Sequence, residues 1–137
     1  MKFLLTIACV ALYIASINGA ALPDDVKAQF LTIKKECLAE FPNLDHEHLK
    51  KMKKNEFVEG DEDLKKFVLC FHKKLHVQKD DGSFDVDKIK ADFAKYFDGH
   101  TYDKDIEECA KDDHHDAAEN AWAFFKCIHP KLPEMEE

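Results

Sequence analysis

The chain has 137 residues, with 20 lysines and no arginine set against 28 acidic side chains, for a formal charge of −8 at neutral pH. Arginine is the residue best shaped for bidentate contacts to phosphate and guanine, so its absence and the acidic balance exclude nucleic acid as an expected partner and disfavour anionic membranes. At 45% hydrophobic and 35% charged residues, the composition is that of a folded globule, not a disordered chain.

Residues 1–21 read as a secretory leader. Lys2 gives the positive start, Phe3 to Ile14 supply the apolar stretch, and Ala15 to Ala21 offer small residues, with Gly19-x-Ala21 fitting the peptidase rule best. The stretch is short for a membrane span and no later segment is apolar enough, so no stable membrane anchoring is expected. Residues 22–137 are then expected to form a single extracellular domain with one modest core. Loss of Lys2 with the leader takes its charge from −8 to −9.

Helical periodicity runs along nearly all of this domain. Val26, Phe30, Ile33 and Cys37 fall at i, i+4, i+7 and i+11, one stripe of a first helix that Phe41-Pro42 ends. Asp45 is the expected N-cap of a short second helix, with Leu44 and Leu49 spaced as a hydrophobic staple. Gly60-Asp61 opens a third, whose stripe is Leu64, Phe67, Val68, Phe71 and Leu75. After the turn at Asp80-Asp81-Gly82-Ser83, Asp85 starts a fourth carrying Val86, Ile89, Phe93 and Tyr96/Phe97, and Gly99 stops it. Thr101 is the expected cap of a fifth through Ile106, Cys109 and Ala110. A sixth carries Ala118, Ala121, Trp122, Phe125 and Ile128, and Pro130 and Pro133 are expected to keep the tail from being helical. No segment alternates with period two, so the expected fold class is all-α, six short helices without a sheet.

Cys9 leaves with the leader. Cys37, Cys70, Cys109 and Cys127 remain, separated by 32, 38 and 17 residues, and an even number in an oxidising compartment points to two disulfides with three connectivities open. Histidine offers little chemistry. His72 and His76 stand at i, i+4, but no further ligand completes a metal site, and a solvated face beside Lys73 and Lys74 is expected. His46-x-His48 and His114-His115 are weaker, and the Asp80–Asp87 run lacks calcium-loop spacing. The only serines, Ser16 and Ser83, sit in no nucleophile context, so neither catalysis, a metal nor a cofactor is expected. What remains is aromatic: ten of the eleven phenylalanines follow the leader, on short helices of the kind that wall a small-molecule pocket.

The cysteine spacing resembles that of the insect odorant-binding and pheromone-binding proteins. With the second and fifth cysteines of that six-cysteine signature placed at Lys66 and Ala118, the gaps become 28, 3, 38, 8 and 8, each within the family pattern. Those two cysteines bond each other in the family, so their joint absence makes the chain similar to its four-cysteine "minus-C" branch. The resemblance implies six helices around an internal apolar cavity and bridges Cys37–Cys70 and Cys109–Cys127. It also implies a secreted carrier, monomer or weak homodimer, that binds small apolar ligands such as odorants or pheromones reversibly. A haemolymph or secretion carrier of the same fold is the alternative, and a small secreted enzyme a more distant one.

By that analogy and by stripe position, the ligand-contacting set is expected to draw on Phe30 and Ile33 of the first helix and Phe67, Val68 and Phe71 of the third. Phe93 and Tyr96 of the fourth and Ala121, Trp122, Phe125 and Ile128 of the sixth complete it, core packing being the alternative for each. A Tyr96 or Tyr102 hydroxyl is placed to orient an alcohol, aldehyde or phenol. Ile128, Leu132 and Met135 between prolines and acids leave the tail readable either as a lid or as a frayed terminus.

Overall fold

The computed structural model describes residues 22–97 and 101–133. The leader expected over 1–21, the stop at Gly99 and the tail residue Met135 lie outside the described residues. Among those described, six α-helices follow one another: α1 Asp24–Glu40, α2 His46–Lys53, α3 Glu62–Lys74, α4 Val86–Tyr96, α5 Asp103–Cys109 and α6 Ala117–Ile128. A 3-10 turn, His129–Lys131, follows α6. No described residue belongs to a strand; Gln78 and Phe84 form one isolated antiparallel bridge.

Aspartate sets most of the helix starts. The carboxylates of Asp45, Asp61, Asp85 and Asp116 accept from the backbone N–H groups of Glu47, Leu64, Lys88 and Glu119 at 2.9 to 3.1 Å. Each satisfies an N–H the helix cannot, a contribution of about 1 kcal/mol. The fifth helix differs from expectation. Its N-cap position is Tyr102, which makes no side-chain cap, so Thr101 does not start it. The tail differs too, because Pro130 sits inside the first turn of the 3-10 segment, where its missing N–H has no partner to lose.

The layers meet on two buried clusters. Ile33, Cys37, Leu44, Leu49, Met52, Leu64, Phe67, Val68, Ala121 and Trp122 form the first, joining α1, α2, α3 and α6. Val77, Ile89, Ile106, Cys109, Phe124 and Ile128 form the second, joining α4, α5 and α6. Helix α6 serves both because Ala121 and Trp122 lie on one flank and Phe124 and Ile128 on the other. The expected Leu44–Leu49 staple is buried at both ends.

Two disulfides fix the helix pairs that the resemblance implied. Cys37–Cys70 ties α1 to α3 with Cα atoms 5.9 Å apart, and Cys109–Cys127 ties α5 to α6 at 5.5 Å. The turn before α4 is held tightly against the start of α6. At Gly82, with φ of 91°, a Cβ would stand 2.9 Å from the Cα of Ala117, so only glycine suits both the backbone and the contact. No helix among the described residues is long and apolar enough to cross a membrane.

Candidate ligand-binding site

The eleven candidate residues divide by burial. Ile33, Phe67, Val68, Ala121, Trp122 and Ile128 are buried, each 5% exposed or less. Phe30, Phe71, Phe93, Tyr96 and Phe125 are half-buried. Four of these last five belong to one continuous aromatic face. Phe71 of α3 meets Phe30 of α1 edge-on at 5.5 Å between ring centroids, and Phe30 meets Tyr96 of α4 edge-on at 5.4 Å. Tyr96 continues to Phe93 at 6.2 Å, and Phe93 to Phe97 and Tyr102. Phe67 joins the inner end through Phe71 at 6.4 Å.

The ring of Tyr96 is set among apolar neighbours while its hydroxyl makes no hydrogen bond among the described residues. Burial, with the Asp92 carboxylate one turn earlier adding to it, raises its pKa, so the phenol stays protonated.

The other half-buried ring, Phe125, belongs to a different assembly. Trp122 stacks on it at 6.4 Å, Phe57 stands edge-on to both at 5.9 Å, and the His129 imidazole lies over it at 4.7 Å. The indole N–H of Trp122 donates to Glu59 Oε2 at 3.2 Å, and Lys126 holds the other Glu59 oxygen at 2.7 Å. Lys126 and then Trp122 lower the Glu59 pKa against the opposing effect of burial. Trp122 is therefore a closed, satisfied part of the α3–α6 seam.

His72 does not lie on a solvated face. It is 9% exposed, edge-on to Phe84 at 6.2 Å and to Phe124 at 5.8 Å. Gln78 Nε2 donates to the carbonyls of Gly82 and Ala117, which leaves Gln78 Oε1 as the acceptor and assigns the His72 proton to Nδ1, 3.1 Å away. Burial drives its pKa down to about 4, so the imidazole is neutral. His76 is exposed, with φ of 61°, just past the end of α3, and does not continue the helical spacing that paired it with His72.

Two open grooves lie on the surface. One, of about 640 Å³ between α1 and the end of α3, is lined by Asp25, Ala28, Gln29, Thr32, Ile33, Glu36, Lys73, Lys74 and His76. The other, of about 480 Å³, lies over the start of α3, where His48 bonds Asp61 at 2.6 Å. Of the eleven candidates, only Ile33 reaches either. Cys37, Glu40 and Cys70 are the one group among the described residues placed as metal ligands would be, and the two sulfurs are bonded to each other.

Helical pairs stapled by these two disulfides are joined by a match along the sequence itself: the model of the PBP/GOBP family covers residues 19–131. The chain belongs to the PBP/GOBP family. No curated protein and no solved structure matches it. Membership places this PBP/GOBP chain in a family of binding proteins.

Several residues that complete the packing of the PBP/GOBP chain away from that aromatic face escaped the periodicity. Phe57 and Glu59 come from the loop before α3, where no repeat marks them. Phe124 and Asn120 fall off the Ala121–Trp122 stripe because α6 is buried on two flanks. The signal for Phe124 was present in the Trp122-Ala123-Phe124-Phe125 run, which is too apolar for a helix with one wet side.

Proposed function

We propose that the protein is a secreted carrier that reversibly holds small apolar molecules against the half-buried face of Phe71, Phe30, Tyr96 and Phe93. The observation that carries this reading is a run of four half-buried rings that touch one another across three helices. Aromatic rings left partly uncovered on three helices offer a continuous apolar contact, and family membership supplies the role. Secretion is supported by the leader pattern of residues 1–21 and by two disulfides, which persist in oxidising compartments. In this reading Ile33, Phe67, Val68, Ala121, Trp122 and Ile128 serve as core, and Phe125 belongs to the Trp122 assembly.

The test is native mass spectrometry of the protein purified from its source tissue, followed by displacement of an apolar dye with the compounds found. Co-purified apolar molecules that compete with the dye at micromolar concentration, about −8 kcal/mol, are the expected outcome. A protein that carries nothing and takes up no dye would end the carrier reading.

The four-cysteine branch is part of the proposal. Lys66 and Ala118, the positions of the absent bridge, stand on α3 and α6, and their neighbours Lys65 and Glu119 pair across the two helices at 2.6 Å. Lys66→Cys combined with Ala118→Cys should crosslink under mild oxidation and raise the melting temperature. Failure to crosslink would show that these positions do not correspond to the missing pair.

A further inference from the structure

We infer that Tyr96 makes the carrier selective for ligands bearing a neutral hydrogen-bond acceptor, a carbonyl or ester on a compact apolar body, over carboxylates and over plain hydrocarbons. The inference rests on the carrier reading and adds to it the polar half of ligand recognition. Buried and half-buried polar ring groups elsewhere in the molecule are engaged: the Trp122 indole with Glu59, His72 with Gln78, and His129 with Asn55. The Tyr96 hydroxyl is the exception, without a hydrogen bond among the described residues and with Phe30 and Phe93 on either side of its ring. No buried side-chain polar atom among the described residues lacks a partner, so this hydroxyl still reaches water, and a ligand that covers it must replace that water with an acceptor or leave the hydroxyl unbonded.

The sign of the ligand follows from the charges nearby. The protonated phenol has an O–H to donate, and a carbonyl or ester oxygen accepts it. An anionic acceptor would find no free cation on the same helix to pair with. All three lysines of α4 are committed: Lys88 to Asp92 at 2.8 Å, Lys95 to Asp25 at 3.0 Å, and Lys90 to Glu107. A carboxylate would give up its hydration without an ion pair in return, whereas a carbonyl has far less hydration to lose. A hydrocarbon of the same shape would bury the hydroxyl unbonded.

Three matched compounds separate these cases: para-isopropylbenzaldehyde, para-isopropyltoluene and para-isopropylbenzoate, each used to displace N-phenylnaphthylamine at neutral pH. The wild-type protein should bind the aldehyde about threefold to tenfold more tightly than the hydrocarbon, the effect of one net hydrogen bond, and the carboxylate most weakly. Tyr96→Phe, which keeps the ring, should erase the aldehyde's advantage and leave the hydrocarbon's affinity in place. An unchanged aldehyde preference in Tyr96→Phe, or tightest binding of the carboxylate, would overturn the inference while leaving the carrier reading intact. Absence of binding by all three compounds and by the dye would overturn both.

Discussion

The seam between α3 and α6 and the face shared by α1 and α4 both draw on aromatic rings, to different ends. Along the seam, Trp122, Leu64 and Ala121 are 1% exposed or less and the polar groups are bonded in place, Trp122 to Glu59 and Asn120 to Gly82, Asp113 and the His114 N–H. Across α1 and α4, the rings of Phe30, Phe93 and Tyr96 touch edge to face but stay half-open, and α4 has a single buried residue, Ile89. A region whose contacts are complete gains nothing from a ligand. A region whose contacts are incomplete does, so aromatic content alone does not mark a binding surface; its unfinished packing does.

The contrast breaks most visibly in stability. Trp122→Ala should cost about 3–5 kcal/mol in urea unfolding, since it opens a cavity in packed surroundings. Phe30→Ala, on the half-open face, should cost about 1 kcal/mol while weakening ligand binding more than its effect on stability would suggest. Equal stability losses at the two positions would remove the distinction.

Protonation gives the next largest effect. His72 is neutral in the fold, with its pKa held near 4 by burial against 6.5 in the unfolded chain. Above about pH 6.5 both states are neutral there and the group costs nothing. As pH falls from 6.5 toward 4 the unfolded chain binds a proton that the folded chain refuses, so stability declines by on the order of 2–3 kcal/mol. His72→Asn, whose amide can still donate to Gln78, should flatten the melting-temperature profile across that window; a profile identical to wild type would place the pH dependence elsewhere.

The smallest effect tests how the seam is held without a third disulfide. Lys65 buries its stem and extends its ammonium to Glu119 at 2.6 Å and Glu62 at 3.4 Å, and Glu119 is the main cause of its raised pKa. Half-exposed Glu119 limits the pair's strength, so Glu119→Gln should cost 1 kcal/mol or less, and less still in high salt. A salt-independent loss would mean that packing, not charge, accounts for it.

The helices and bridges were legible in the sequence because they rest on local signals. Asp45, Asp61 and Asp85 cap where their spacing to the apolar stripes places them, and the cysteine gaps carried the pairing through the family resemblance. Thr101 misled because a capping residue type does not fix where the first turn begins. The solvated reading of His72 failed because Gln78, which satisfies it, arrives from beyond the end of its own helix. Periodicity likewise grouped Trp122 with Phe30, since both lie on apolar stripes; only the packing of the Phe57 loop over α6 separates an enclosed ring from an open one.

Isotope-filtered NOE spectroscopy of the labelled protein with bound para-isopropylbenzaldehyde tests the division between seam and open face most directly. Cross-peaks from the ligand to the ring protons of Phe30, Phe71, Phe93 and Tyr96, with none to the Trp122 indole, are the predicted result. Contacts concentrated on Trp122 and Phe125, with the Tyr96 ring silent, would contradict it.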